Sequence, residues 1–198
     1  MPDLPNRRQR ETELAGALLM ILTDWQNRPF DGSRFAQDAQ RAIVPVLVEV
    51  HDDASRRLLS QNGASIDPRV SRGQSREWAE GYASVLAGEI AQSIQNELAM
   101  GYDPATVFGQ ARAEMVAITE VTRAVSAGEA LVVVLLAAGV EGVRARLEEI
   151  WYTKNDARVC PVCAPLHNRP KDEWVHLFPD GPPAHPRCRC WKEYKQAI

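Results

Sequence analysis

All four cysteines of this 198-residue chain fall in its last fifth. Cys160 and Cys163 stand in Cys-Pro-Val-Cys, and Cys188 and Cys190 close the run His185-Pro-Arg-Cys-Arg-Cys. A two-residue spacer brings two thiolates back to one centre. A second turn offering imidazole and thiolate completes the donor set of a tetrahedral zinc site. Five donors (Cys160, Cys163, His185, Cys188, Cys190) compete for four positions. The first pair is the firmest; the other two ligands come from His185, Cys188 and Cys190. If the chain is extended there, residues 188 and 190 face one side. Catalytic zinc keeps a position open, so a surplus of ligands points to a closed, structural Zn site. The segment Trp151 to Tyr194, about 45 residues, is too small to hold a core alone, and metal binding would supply the missing folding energy.

Composition bounds the setting of this cluster. With 45% hydrophobic and 25% charged residues, the chain has the make-up of an ordinary globular protein. Its longest apolar run, Ala130 to Val140, falls short of the about 20 residues that span a bilayer. Arg7, Arg8 and Arg10 are followed by no apolar stretch of the secretory kind. The chain is therefore expected in the cytosol with no membrane partner, where reducing conditions disfavour disulfides. From Ile150 onward there are 8 Lys+Arg against 5 Asp+Glu, which leaves the rest of the chain at -6 of the total -3. An acidic body with a mildly basic tail lacks the basic stripe of a bulk DNA binder.

The pattern along the chain predicts a mainly α protein: a multi-helix body, residues 10–149, after a loose arm at 1–9, then a small zinc-stapled, β-containing lobe at 150–198. Leu14, Leu18, Ile21, Leu22 and Trp25 recur at helical spacing, predicting a helix over Arg10 to Asn27. Ser33 is the expected N-cap of a second helix, which Asn62-Gly63 closes. A third carries Trp78, Tyr82, Leu86, Ile90, Ile94 and Leu98 and ends before Gly101. Asp103-Pro104 signals a fourth start, running to about Ala127. The Ala130 to Val140 segment suits a buried strand or a buried helix. A short charged helix is expected over Val143 to Glu149. In the proline-rich tail, a hairpin carries the first cysteine pair and a return strand carries Cys188 to Trp191.

Other candidates are weaker. His167 and His176 lie in polar loops and read as solvated. Glu120, Arg123 and Asp156 form a possible charge network against the tail. No nucleophile–base pair, phosphate loop or paired-carboxylate site appears in the sequence, so no enzymatic activity and no small-molecule substrate are expected.

Three stretches in order match a known pattern: Thr119-Glu120-Val121-Thr122-Arg123-Ala124, then Trp151-Tyr152-Thr153 through Asp156-Ala157-Arg158-Val159-Cys160-Pro161-Val162-Cys163, then Pro182-Pro183-Ala184-His185-Pro186-Arg187-Cys188-Arg189-Cys190. Over roughly residues 105–192 the chain resembles the phage Mu F-like head morphogenesis family, the minor head or minor capsid proteins of tailed bacteriophages. Asn168 stands where that pattern usually has Gly, and Asn is the next best residue at positive φ. The resemblance implies a structural protein of a phage or prophage head, with portal or capsid proteins as partners and weak DNA contact at most. It would act in the virion head interior or portal region after assembly in the host cytoplasm. Two alternatives start from the same residues: a zinc-containing nuclease of the His-Asn-His type, and a zinc ribbon that places Arg187, Arg189, Lys192 and Lys195 on DNA phosphates.

Overall fold

The computed structural model describes residues 6–140, 142–154, 156, 157 and 159–197. Its frame is helical: α1 (Arg7–Gln26), α2 (Gly32–Gln61), α3 (Pro68–Ala99), the single turn α4 (Pro104–Val107) and α5 (Gln110–Ala138). Then follow β1 (Leu147–Tyr152), β2 (Arg169–Pro170), α6 (Lys171–Trp174) and β3 (Trp191–Gln196). The strands form one antiparallel sheet in the order β2-β1-β3. The chain is thus mainly α with a small β-containing C-terminal lobe, as its periodicity and proline density imply.

Local chemistry sets the helix ends. Asp67 and Asp103 each precede a proline at the first helical position, and their carboxylates accept from the N–H groups of Arg69 (2.7 Å) and Ala105 (3.0 Å). At α2 the cap is Asp31 and not Ser33. Its carboxylate accepts from the N–H groups of Ser33 and Arg34, both at 3.1 Å, so it satisfies two orphan donors and leaves Ser33 inside the helix. Gly63 and Gly101 end α2 and α3 at φ +71° and +81°.

Several boundaries differ from the pattern in the sequence. Helix α1 begins at Arg7, inside the stretch expected to be an arm, and Arg7 is buried. Asp103-Pro104 starts only the turn α4, and a fresh helix begins at Gln110 after Gly109. The Ala130 to Val140 question resolves as helix, because α5 continues through Gly128 to Ala138. Val143 to Glu149 is not a helix. Gly142 lies at φ +81°, a bridge joins Val140 to Val143, and Leu147 opens β1, whose six residues pair with β3 from Gln196 back to Trp191. That ladder satisfies more backbone groups than an isolated helix of about two turns would.

The main core joins α1, α2, α3 and α5 around Leu14, Leu18, Phe35, Ile43, Leu47, Ile94 and Val121. A smaller cluster of Leu58, Leu59, Val132 and Leu136, with Leu147 and Tyr194 against it, carries the packing over to the sheet. Within Pro104–Ala138 an 18-residue stretch of mean hydropathy 1.8 is long and apolar enough to cross a membrane, but half of that stretch is buried inside the protein. The core position of α5 accounts for its composition without a bilayer.

Gly128 permits that position. A Cβ there would collide with the His51 carbonyl oxygen of α2 and stand 2.9 Å from Ser55 Oγ. Ser55 Oγ in turn lies 2.8 Å from the His51 carbonyl and 3.0 Å from that of Gly128, its one hydrogen shared between them. Gly128→Ala is expected to push α2 and α5 apart and destabilise the fold by about 1–3 kcal/mol. Urea unfolding monitored by circular dichroism measures the loss; a midpoint equal to that of the parent would contradict the close approach.

Candidate metal centre

Two turns build the cluster. In the first, the N–H groups of Cys163 and Ala164 donate to the Cys160 carbonyl (3.1 and 3.0 Å), and the Cys163 N–H also meets Cys160 Sγ at 3.3 Å. A single 3-10 turn over Ala164–Leu166 follows. In the second, the Cys188 N–H donates to the His185 carbonyl at 3.1 Å, with Pro186 and Arg187 between them and Arg187 at φ +60°. That is the type II pattern, which favours proline at its second position and ordinarily glycine at its third. Cys188 and Cys190 therefore precede β3 and do not lie in it, and the first pair sits on a long β1–β2 connection and not a tight hairpin.

The turns meet, and all five candidate donors come together. Cys160, Cys163 and His185 form one group with donor atoms within 4.8 Å of one another; Cys163, Cys188 and Cys190 form a second, so Cys163 belongs to both. His185 Nε2 stands 2.8 Å from Cys160 Sγ and 3.3 Å from Cys163 Sγ, and Cys163 Sγ is 3.8 Å from Cys188 Sγ. A tetrahedron with metal–sulfur bonds of about 2.3 Å has an edge of about 3.8 Å, so the last contact already has the spacing of two zinc ligands. Cys163, Cys188 and Cys190 are buried, while Cys160 and His185 are half-buried.

Crowded sulfurs disturb one another's protonation. The contact with Cys163 holds the Cys188 thiol far below its ordinary range, and the same contact pushes Cys163 far above it. At Cys160 burial pushes upward, but the Cys163 and Val162 backbone N–H groups, the Cys163 side chain and His185 together outweigh it and leave the thiol below its usual value. For His185 burial pulls downward, and the Pro186 carbonyl with the Cys188 and Cys160 sulfurs raises it overall. Without a cation the group must share protons; a divalent ion would allow several sulfurs to ionise together. The donors suit a soft, tetrahedral ion.

Around them the lobe has a core of rings. Trp151 stands edge-on to Trp174 (5.4 Å) and near Phe178 (5.5 Å), in one cluster with Cys163, Cys188 and Cys190. Asn168 lies at φ +60°, as the turn requires, and its N–H donates to the Trp151 carbonyl at 2.7 Å. His167 is not simply solvated: its Nδ1 accepts from the Thr153 N–H at 3.2 Å, fixing the start of the loop. His176 is exposed.

The lobe docks on a polar stripe of α5. Thr119 Oγ1 donates to Met115 O (2.7 Å) and accepts from the Arg187 N–H (2.9 Å). Thr122 Oγ1 lies 3.1 Å from the Cys188 carbonyl and 2.8 Å from that of Ile118. Lys192 Nζ donates to Ser126 O and Glu149 Oε2, both at 3.2 Å, and the Tyr194 hydroxyl donates to Glu129 at 3.2 Å. Residues 119, 122, 126 and 129 line one face of the helix. The spacing was visible in the sequence as polar positions within an apolar helix, yet these contacts were not foreseen.

The expected Glu120, Arg123 and Asp156 network divides. Glu120 pairs with Arg123 (3.3 Å) and with the Tyr82 hydroxyl, whereas Asp156 grips both terminal nitrogens of Arg189 at 2.9 and 2.7 Å. Lys192 is buried and Arg187 reaches the Ala111 carbonyl at 3.3 Å. Three of the four side chains that a DNA-binding ribbon would place on phosphates thus bond within the chain, Lys192 in the interior and Arg187 and Arg189 at the surface.

A helical body carrying a lobe whose turns converge on a cysteine–histidine cluster defines the class. The family model for phage Mu protein F-like proteins matches residues 80–192, more than half of the chain, and the chain belongs to that family. The match begins within α3, earlier than the cysteine motifs alone indicate. No match was found among curated proteins or solved structures.

Glu129 gives the docking face a pH dependence. Burial pushes its carboxyl up to about 7 from 4.5, against the pull of Lys192, Arg57 and Tyr194. A raised carboxyl favours the fold below pH 4.5 and loses that contribution as pH rises to about 7. The stability of the parent relative to Glu129→Gln is therefore expected to fall by up to about 3 kcal/mol between pH 4.5 and 7.5. Urea unfolding of both across that range measures it, and a constant difference would refute the assignment.

Proposed function

We propose that this protein is a minor head protein of a tailed bacteriophage or prophage, acting structurally in head morphogenesis by docking on the portal or the capsid interior. Membership of the phage Mu protein F-like family, matched over α4, α5 and all five candidate donors, carries this reading. The structural phage-head character of that family supports a part in phage head assembly. In the proposal the helices present the docking surface, and the lobe is a rigid clip closed by one structural zinc held by four of Cys160, Cys163, His185, Cys188 and Cys190. Zinc would supply cross-linking energy there, not Lewis-acid chemistry, because the donors outnumber its positions. The paired state of Arg187, Arg189 and Lys192 favours this over a nucleic-acid ribbon.

The metal arm is tested by elemental analysis and chelation. One zinc per chain is expected, with EDTA loosening the lobe while the helical signal persists. Cys163→Ala, which removes the sulfur common to both donor groups, should abolish binding. Zinc-free protein from zinc-supplemented cells would sink it.

The partner arm is tested by co-expression with the portal and capsid proteins from the same genome. Co-purification with one of them at defined stoichiometry is the expected result; recovery of the chain alone counts against docking.

A further inference from the structure

From the hydrogen bonds beneath the second cysteine turn we infer that Arg7, at the start of α1, is a positioning residue of the metal centre, coupling metal binding to the docking of the N-terminal helix. The inference rests on the zinc reading above.

Arg7 is buried, with 6% of its surface exposed. A guanidinium in that position is stabilised only when its N–H groups find acceptors. Its Nε donates to Glu11 at 2.8 Å and one terminal nitrogen donates to Thr122 Oγ1. The same Thr122 oxygen lies 3.1 Å from the carbonyl of Cys188, itself a candidate ligand. Thr119 holds the next peptide along the same turn by accepting from the Arg187 N–H, at the residue with φ +60°. One hydroxyl thus joins a side chain of α1 to the backbone of a ligand-bearing turn across 115 and 66 residues of sequence.

Charge points the same way. Zinc with three thiolates and one imidazole carries a net -1, and with four thiolates -2. The Arg7 guanidinium turns a terminal nitrogen toward that charge, one hydrogen-bond step from the Cys188 backbone, while Glu11 pairs its Nε, so the part of its charge not taken up by Glu11 offsets that of the centre. By linkage, whatever Arg7 contributes to metal affinity the metal returns as ordering of the first turns of α1.

The test is a competition titration of Zn²⁺ against a chromophoric chelator, together with amide hydrogen exchange of the full chain. Thr122→Val keeps the shape and removes the hydroxyl; Arg7→Gln removes the cation. Each is expected to weaken zinc binding about tenfold or more, while Arg8→Ala, at an exposed neighbour, leaves it unchanged. Chelating the parent protein should speed exchange in the first turns of α1 and leave α3 protected. If Arg7→Gln fails to fold, Thr122→Val and the exchange experiment decide. Parental affinity in Thr122→Val with α1 exchange indifferent to chelation overturns the coupling while leaving the zinc centre intact. A parent chain that binds no zinc overturns both.

Discussion

The Thr119 and Thr122 hydroxyls, each bonded back to its own helix, meet the backbone of the Arg187–Cys188 turn, and the C-terminal lobe takes its place from that meeting. A segment this small has few ways to hold a structure. Its apolar core amounts to Trp151, Trp174, Leu166 and the cysteines, with Phe178 packed against them. Three supports act together on it: the rings, the convergence of the two cysteine turns, and the face of α5. Because the hydroxyls contact backbone atoms of the turn and not its side chains, they fix where the sulfurs are presented whatever ion the sulfurs hold. Arg187 at positive φ fits the same picture, since a conformation costly for a non-glycine residue persists where its surroundings over-determine it.

Below the cysteine turns the same interface becomes ionic. Glu149 of β1, its carboxyl held below the usual range by Lys192 and Lys171 against the cost of burial, bridges the sheet to α6 and to β3. Lys192 continues to the Ser126 carbonyl of α5, and Tyr194, two residues on, reaches Glu129. Buried charges of this kind contribute little net stability but penalise any other arrangement, because a slipped strand would leave an ion unpaired. The one-residue alternation of β3 sends Lys192 and Tyr194 to the same side, so a shift of register by one residue would strand both. Polar specificity thus fixes the sheet on the helix, where the apolar contact alone is too thin to do so.

Much of this was legible in the sequence, for identifiable reasons. The helical stripes, the Asp103-Pro104 cap, the glycine stops at 63 and 101 and the convergence of the five candidate donors depend on residue type and spacing. The misread elements depend on contacts distant in sequence. Val143 to Glu149 looks like a charged helix until β3, some forty-five residues later, offers it a ladder. Gly128, just past the expected helix end near Ala127, leaves the next element ambiguous until His51 and Ser55 of α2 are seen to need its missing side chain. Asp31 displaced Ser33 as a cap because a carboxylate reaches two amides at once. Asp156 looked like a partner for α5 and is instead a clamp on Arg189, a pairing set by how the two turns approach. Arg7 looked like part of a loose polar arm, since nothing within twenty residues of it indicates a buried acceptor.

The extent of the family match sharpens the division of labour. Residues 80–192 take in the larger part of α3, all of α5 and the lobe as far as the first residues of β3, and leave out α1 and α2. Yet α5 is a core helix because α1 and α2 cover it: Leu14, Leu18, Phe35 and Ile43 bury the face that carries Ala117, Val121 and Ala124. An isolated 80–192 fragment would expose that face and would also lose Arg7 from beneath the Cys188 turn. In this chain the matched stretch is therefore completed by helices that lie outside it. The completing helices meet the lobe where the Arg7 guanidinium reaches the Thr122 hydroxyl of α5, so their sequence is constrained at Arg7 by that contact, at His51 and Ser55 by the close approach of Gly128, and between them by the core positions Leu14, Leu18, Phe35 and Ile43.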